Sequence, residues 1–208
     1  MIFIGLYTGN PEIDELIDKS TVATFYGVAG AGKTIMLLVI ASRFCRNKEC
    51  IYISTEGTLH YERVAASPED YEWSLFTEVY DLEKLVDLAT FIRLQGFQGV
   101  FVDSVNSLFR LKALNEGALS KLAYIMASLR KSVEETGGKA FMSAKVKAEE
   151  GEDTPVGESV LKYYSDLVVH LGLMGDKRYA RIVKPEGSGR KYLYVITERG
   201  ITWLSENT

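Results

Sequence analysis

Short apolar runs rich in β-branched residues alternate with longer segments along the first two thirds of the chain. An apolar run of this length, bounded by turn residues, is typical of a buried strand. The pattern predicts strands at residues 21–26, 50–54, 74–79, 99–102 and 139–144.

Three of the longer segments predict helices. Residues 33–44 (KTIMLLVIASRF) are apolar on nearly every side, which suits a helix buried against a sheet. Residues 81–94 are amphipathic, and residues 119–136 carry apolar side chains at spacings of three and four. Gly137 and Gly138 follow this last segment and predict its end.

The pattern changes after residue 166, where only strand-like runs remain. Residues 166–173, 177–184 and 191–197 are separated by short segments that contain glycine. Helices between strands indicate a parallel sheet, whereas short turns indicate antiparallel neighbours. The predicted fold class is therefore α/β, with a doubly wound, mostly parallel central sheet flanked by helices and a C-terminal antiparallel meander. In such sheets, ligands bind at the carboxyl ends of the strands.

Length and composition restrict the classes of protein further. The chain has 208 residues, of which 47% are hydrophobic and 25% charged, so it is predicted to be one globular domain over residues 1–208. Its formal net charge of −4 means that any nucleic-acid contact needs a local basic patch. With two cysteines, Cys45 and Cys50, and no signal or membrane segment in the sequence, we expect a cytoplasmic protein with reduced thiols and no membrane partner.

The clearest chemical motif lies between the first predicted strand and the first predicted helix. The segment GVAGAGKT matches the phosphate-loop pattern G-x-x-x-x-G-K-[ST]. Its backbone N–H groups and lysine would bind the phosphates of ATP, and its threonine hydroxyl would bind Mg²⁺. The predicted nucleotide-binding residues are Gly27, Val28, Ala29, Gly30, Ala31, Gly32, Lys33, Thr34 and the following Ile35.

Two carboxylates end or follow buried strands and complete a candidate site for ATP hydrolysis. Asp103 ends the strand GVFV, where it can reach Mg²⁺ beside Thr34; by itself it could equally begin a turn. Glu56 follows the strand CIYIS, where it can orient the attacking water; the alternative is a surface loop glutamate. Together with Lys33, Glu56 is the predicted catalytic residue.

Four segments together resemble the RecA/RadA recombinase family. They are TGNPEIDEL at residues 8–16, FYGVAGAGKT at 25–34, YISTEGTLHYER at 52–63 and VDSVNSLFR at 102–110. The chain looks most like the archaeal RadA paralogues of the RadB or RadC type. The resemblance implies a RecA-like ATPase core in which Glu56 is the catalytic glutamate, Asp103 binds the metal and Arg63 lies near the adenine.

The chain also departs from the family pattern. The resemblance starts at about residue 7, so we expect neither the N-terminal helical domain nor the Phe-x-x-Ala hook used for polymerisation. The single Phe-x-x-Ala match, at residues 141–144, falls on a predicted buried strand. Lys145 stands where the family often has a glutamine that senses the γ-phosphate.

The DNA-binding loops of the family would correspond to residues 110–116 and 145–157. They offer Arg110, Lys145 and Lys147 as candidate DNA contacts, but the second loop is also acidic and neither loop contains an aromatic side chain. A solvated charged loop is the alternative. Arg181 and Lys184 are candidate cations for the site of a neighbouring subunit, although such residues also protect sheet edges.

These expectations favour an ATP-binding and ATP-hydrolysing RadA paralogue that assists homologous recombination and DNA repair. Its expected partners are a RadA-type recombinase and, weakly, single-stranded DNA, and its expected state is a monomer or small homo-oligomer. Two alternatives remain: a nucleotide-gated adaptor with little turnover, and a KaiC-like signalling or motility ATPase.

Overall fold

A single mixed sheet dominates the computed structural model, which describes residues 5–57, 61–111, 117–147, 153–186 and 189–204, with residues 110 and 111 described by their backbone. The strands are β1 Val22–Gly27, β2 Cys50–Ser54, β3 Ser74–Glu78, β4 Gly99–Asp103, β5 Lys139–Lys145, β6 Leu167–Met174, β7 Lys177–Lys184, β8 Lys191–Thr197 and β9 Gly200–Trp203. Their order across the sheet is β3-β2-β4-β5-β1-β6-β7-β8-β9. Pairing is parallel from β3 to β6 and antiparallel from β6 to β9. The predicted fold class is confirmed.

Helices cover the parallel part of the sheet, and short-range signals mark several of their ends. The side chain of Asn10 accepts hydrogen bonds from the N–H groups of Glu12 and Ile13, and Gly137 ends the longest helix with a φ of 65°. No helix in the described ranges is long and apolar enough to cross a bilayer. The helices are α1 Pro11–Lys19, α2 Lys33–Phe44, α3 Tyr61–Ala66, α4 Leu82–Gln95, α5 Ser107–Leu111, α6 Ala118–Thr136 and α7 Glu158–Tyr164.

The two faces of the sheet bury separate apolar cores. One core packs side chains of α4, α6 and α7 against the sheet, and the other packs those of α1 and α2. Every residue of β1, β2 and β4 is buried, because these strands are covered on both faces. This double coverage explains why their sequences read as continuous apolar runs.

The strand register brings four carboxyl ends to one level. Ser54 of β2 pairs with Asp103 of β4, and Gly27 of β1 pairs with Lys145 of β5. The chain leaves all four strands at the same edge of the sheet. Residues that follow these strands therefore meet there, as the sequence pattern predicts for a parallel sheet.

Every predicted strand and helix is present, with its boundaries correct to within one residue. Four helices and one strand were not predicted: α1, α3, α5, α7 and β9. The last four of these are at most seven residues long, too short for periodicity to be visible. A start signal for α1 was present, because Asn10 is followed by proline and then by acidic residues.

The expectation of two reduced thiols is wrong for this structure. Cys45 and Cys50 form a disulfide with a Cα–Cα distance of 5.9 Å. Cys45 follows the end of α2 and Cys50 begins β2, so the short turn between these elements brings both side chains together. Proximity in the chain, rather than a multi-cysteine framework, accounts for the pairing.

Candidate functional site

The phosphate loop connects β1 to α2 and needs glycine for steric reasons. A Cβ atom on Gly27 would lie 1.9 Å from the carbonyl oxygen of Leu171 on the neighbouring strand β6. Gly30 and Gly32 have φ angles of 79° and 93°, in the left-handed region that other residues rarely adopt. The motif glycines therefore shape a loop whose backbone leads directly into the N-terminus of α2, where anions bind favourably.

The side chain of Lys33 turns back into this loop. Its Nζ donates hydrogen bonds to the carbonyl oxygens of Gly27 and Val28, both at 2.9 Å. Burial lowers the pKa of Lys33, whereas the charges of Asp103 and Glu56 act to raise it. The Lys33 ammonium thus lies at the N-terminus of α2, close enough to Asp103 and Glu56 for their charges to affect its pKa.

Asp103 is a buried carboxylate held by two hydroxyl groups. It is 6% exposed, and it accepts hydrogen bonds from Ser143 on β5 and, at 3.1 Å, from Tyr52 on β2. Burial together with the negative charge of Asp103 raises the pKa of Tyr52, so its hydroxyl remains protonated and can donate. Two neighbouring strands therefore fix the orientation of this carboxylate.

Glu56 lies two residues beyond the end of β2 and has a different environment from Asp103. Its carboxylate accepts a hydrogen bond from Ser104, and its Oε2 lies 2.9 Å from the Nζ of Lys145. Thr55 supports this turn, because its Oγ1 accepts from the N–H of Ser104 at 2.9 Å and donates to the carbonyl of Ser104 at 2.8 Å. These bonds join the ends of β2 and β4 at the residue next to Glu56.

These groups converge on one cleft of about 520 Å³ at the carboxyl edge of the sheet. A curved loop of N–H groups with an adjacent ammonium fits phosphates, and a hydroxyl beside a carboxylate supplies the oxygen ligands that Mg²⁺ prefers. The lining residues from the phosphate loop and the two carboxylates belong to the set predicted from sequence, and Lys145 was predicted as a DNA contact. Val146, Arg178 and Ile196 were not predicted. The lining residues are Gly27, Ala29, Gly30, Gly32, Lys33, Thr34, Ile35, Glu56, Asp103, Lys145, Val146, Arg178 and Ile196.

The C-terminal meander contributes two contacts that sequence reasoning missed. Arg178 of β7 donates from Nε to the carbonyl of Gly30 at 2.8 Å, and Tyr194 of β8 donates to the carbonyl of Ala31 at 2.6 Å. The two bonds join residues 148 and 163 positions apart, so no local pattern could have indicated them. The meander therefore supports the phosphate loop from outside the parallel sheet.

Comparison with known proteins finds recombination proteins that are similar to this chain over most of its length. The chain is 26% identical to the DNA repair and recombination protein RadB of Methanosphaera stadtmanae, over 92% of this chain and 93% of that protein. It is 27% identical to RadB of Archaeoglobus fulgidus, over 93% of this chain and 96% of that protein. This similarity agrees with the resemblance of the sequence to the RecA/RadA family. No protein-family model matches it.

Two further comparisons agree with this similarity. The meiotic recombination protein DMC1 of Saccharomyces cerevisiae is 25% identical, over 97% of this chain and 72% of that protein. A crystal structure of the RadB recombinase superposes with a TM-score of 0.73 at 21% identity, covering 87% of this chain and 89% of that one. This structural likeness supports the fold, and RadB proteins recur among the sequence relatives.

Arg63, which the resemblance puts near the adenine, lies on α3. Its guanidinium donates to the carbonyl oxygens of Thr197 and Glu198, at 3.0 and 3.3 Å, in the turn between β8 and β9. Arg63 is not among the described residues that line the cleft. Its role toward the adenine stays a prediction.

The candidate DNA contacts have different surroundings. Lys145 lines the cleft and pairs with Glu56, whereas Lys147 is exposed two residues further along the chain. The side chain of Arg110 lies outside the described residues, as do positions 112–116 and 148–152 of the two loops. The structure therefore separates Lys145 from Lys147, which the sequence had grouped together.

The two candidate trans-acting cations lie on β7. The Nζ of Lys184 donates to the carbonyl oxygens of Lys162 and Ser165, both at 2.7 Å, and so joins β7 to the end of α7. Arg181 is half-buried and lies opposite His170 of β6. A role for either cation in the site of a neighbouring subunit stays a prediction.

Proposed function

We propose that this protein binds ATP with Mg²⁺ and hydrolyses it as a RadB-type paralogue in recombination and DNA repair. The observation that carries the proposal is the convergence of Lys33, Thr34, Asp103 and Glu56 on one cleft. Each residue type matches one requirement of phosphoryl transfer, and they come from three separate segments of the chain. The similarity to RadB proteins supports the same proposal.

The roles of the side chains follow from their positions. Lys33 and the loop N–H groups bind the β- and γ-phosphates, while the Thr34 hydroxyl and the Asp103 carboxylate hold the metal. A bound magnesium ion supplies charge neutralisation at the phosphate oxygens. Glu56 orients the attacking water and accepts its proton, because its carboxylate lies on the same edge of the sheet as the phosphate loop.

The names of the relatives support the biological part of the proposal. Several are DNA repair and recombination proteins called RadB, and one is the meiotic recombination protein DMC1. We propose that this chain assists a RadA-type recombinase and binds single-stranded DNA weakly, as a monomer or small homo-oligomer. Arg110, Lys145 and Lys147 remain the candidate DNA contacts, with Lys147 the exposed one.

The ion pair at Glu56 favours a second candidate function, a nucleotide-gated adaptor with little turnover. The Nζ of Lys145 lies 2.9 Å from Oε2 of Glu56, an oxygen that would otherwise be available to water. In this reading ATP binding changes a partner surface, and hydrolysis only resets it. ATP binding is common to both functions, but only the first requires substantial turnover.

Three measurements on the purified protein test these alternatives. ATP binding is followed by fluorescence titration, turnover is measured with and without single-stranded DNA, and recombinase capture is tested in the presence of ATP. Lys33→Ala should abolish binding, because the phosphates lose their positioned ammonium; equal binding by the variant would contradict the assigned site.

Turnover stimulated by DNA supports the ATPase function, and capture without turnover supports the adaptor. Failure of capture, with normal turnover, favours a KaiC-like signalling ATPase.

A further inference from the structure

The ion pair between Lys145 and Glu56 has a functional consequence that rests on the proposed ATPase activity. The Nζ of Lys145 lies 2.9 Å from Oε2 of Glu56, and Ser104 donates to Oε1 of the same carboxylate. Both oxygens of the water-orienting group are therefore engaged. We propose that Lys145 restrains ATP hydrolysis by holding the Glu56 carboxylate away from the attacking water.

The backbone position of Lys145 is fixed by the fold. The buried side chain of Asn106 accepts from the N–H of Lys145 at 2.8 Å and donates to its carbonyl oxygen at 2.8 Å. The same amide donates to the carbonyl of Val156 at 3.0 Å. Asn106 thus fixes the backbone of Lys145 and closes the base of the loop that follows it.

Asn106 also connects this restraint to the metal-binding strand. It follows Asp103 by three residues, so the turn that ends β4 carries both the candidate metal ligand and the amide that positions Lys145. The backbones that carry Asp103 and Lys145 are therefore joined through Asn106. Asn106 acts here as a positioning residue for the Lys145 ammonium.

The restraint is expected to be moderate. The side chains of Lys145 and Glu56 are 36% and 34% exposed, so solvent screens their attraction. Exposed ion pairs contribute up to about 1 kcal/mol, which corresponds to about a fivefold effect on an equilibrium. Water must compete with the ammonium for Glu56, and removal of the ammonium should raise turnover by a factor of this size.

Lys145→Met tests the restraint, because methionine keeps the length of the side chain without its charge. We expect kcat at saturating ATP and Mg²⁺ to rise about fivefold. Lys145→Arg preserves the ion pair and should keep kcat near that of the unaltered protein. Lys177→Met, on the exposed end of β7, is the matched control for the loss of one positive charge. Lys145→Gln provides a second neutral variant if methionine impairs folding.

Two comparisons separate the restraint from other roles of Lys145. If the lysine instead binds phosphate, Lys145→Met raises KM or lowers kcat, and the inference is wrong. In a Glu56→Gln background, Lys145→Met should have no effect on kcat, since the carboxylate that loss of the ammonium would release is absent. Asn106→Ala should reproduce part of the rise in kcat, provided that its circular dichroism shows a folded protein.

Nucleotide binding distinguishes failure of this inference from failure of the proposed function. If neither the unaltered protein nor Lys145→Met binds ATP in a fluorescence titration, the proposed function fails and the inference fails with it. If both proteins bind ATP and kcat is unchanged, only the restraint is overturned. A rise in kcat for Lys145→Met but not for Lys145→Arg supports both the proposed function and the restraint.

Discussion

At the scale of single residues, two carboxylates at neighbouring strand ends have contrasting surroundings. Asp103 is buried and accepts from hydroxyl groups, which leaves a fixed negative charge suited to a metal ion. Glu56 is more exposed and pairs with an ammonium. The difference fits the proposed roles, in which Asp103 holds the metal and Glu56 becomes available to water during the reaction.

Glu56→Gln should separate ATP binding from turnover. Glutamine keeps the shape and can still accept a hydrogen bond, but it lacks the charge that polarises water. Removal of general-base assistance typically lowers the rate by about 10²–10⁴-fold. We expect kcat to fall by this order while the affinity for ATP changes little, measured by steady-state turnover and fluorescence titration. Loss of ATP binding would instead assign Glu56 a structural role.

His170 is a buried titratable residue on β6, next to the phosphate-loop strand. It is 4% exposed, its ring stacks on Tyr26, and its Nε2 lies 2.9 Å from a carboxylate oxygen of Asp153. Burial lowers the pKa of His170; Asp153 opposes this shift, whereas Arg181 and Lys191 reinforce it. The folded protein therefore holds His170 in its neutral form more strongly than the unfolded chain does.

The lowered pKa of His170 predicts a loss of stability in mild acid. As the pH falls through about 6.5, the unfolded chain gains a proton on this residue before the folded protein does. The stabilising contribution is thus present above that pH and is lost below it. Chemical denaturation at about pH 7.5 and about pH 5.5 should show a smaller difference in unfolding free energy for His170→Asn than for the unaltered protein. Equal differences would contradict the shifted pKa.

At the scale of elements, the C-terminal meander supports the phosphate loop. Tyr194 is buried, and burial raises the pKa of its hydroxyl, which remains a donor to the carbonyl of Ala31. Arg178 holds the carbonyl of Gly30 in the same loop. Antiparallel strands that lie outside the parallel core thus hold two carbonyl groups of the phosphate loop.

Tyr194→Phe should weaken both the fold and ATP binding. A buried hydrogen bond of this kind contributes about 1 kcal/mol, and its loss leaves the carbonyl of Ala31 without that donor. We expect the free energy of unfolding to fall by about this amount, and the dissociation constant for ATP to rise severalfold. Denaturant unfolding and fluorescence titration measure the two effects. Tyr163→Phe, at a side chain 79% exposed, is the control and should change neither.

At the scale of the whole molecule, net charge limits the interaction with nucleic acid. The chain has 24 basic and 28 acidic residues, so its overall field does not attract DNA. The pairing of Lys145 with Glu56 further reduces the positive charge that is free at the second candidate loop. Weak, sequence-independent binding that depends on few phosphate contacts is the expected consequence.

Fluorescence anisotropy with single-stranded oligonucleotides across a salt series tests this expectation. Two or three phosphate contacts give a log–log slope of roughly −1.4 to −2.1, at about −0.7 per contact. Lys147→Ala should reduce the slope by about 0.7, whereas Lys177→Ala on β7 should leave it unchanged. A slope steeper than about −4 would contradict the small contact area and indicate oligomers that combine their loops.

Much of this molecule follows from the sequence alone, because the signals involved are local. The periodicity of residues 119–136 reflects one helix face, and the apolar strand before Asp103 reflects burial on both sides of the sheet. The phosphate loop is specified by the backbone requirements of Gly30 and Gly32. The order of strands and helices then predicts that Glu56 and Asp103 share one edge of the sheet, as they do.

The tertiary structure decided which side chains meet across long separations. Lys145 lies 89 residues from Glu56 in the chain, and Tyr194 bonds to a residue 163 positions away. Nothing in the local pattern distinguishes these partners, since register and sheet order bring them together only after the whole sheet has formed. The sequence determined the chemistry available at the cleft through local backbone and burial requirements, whereas the folded sheet decided which charge neutralises which.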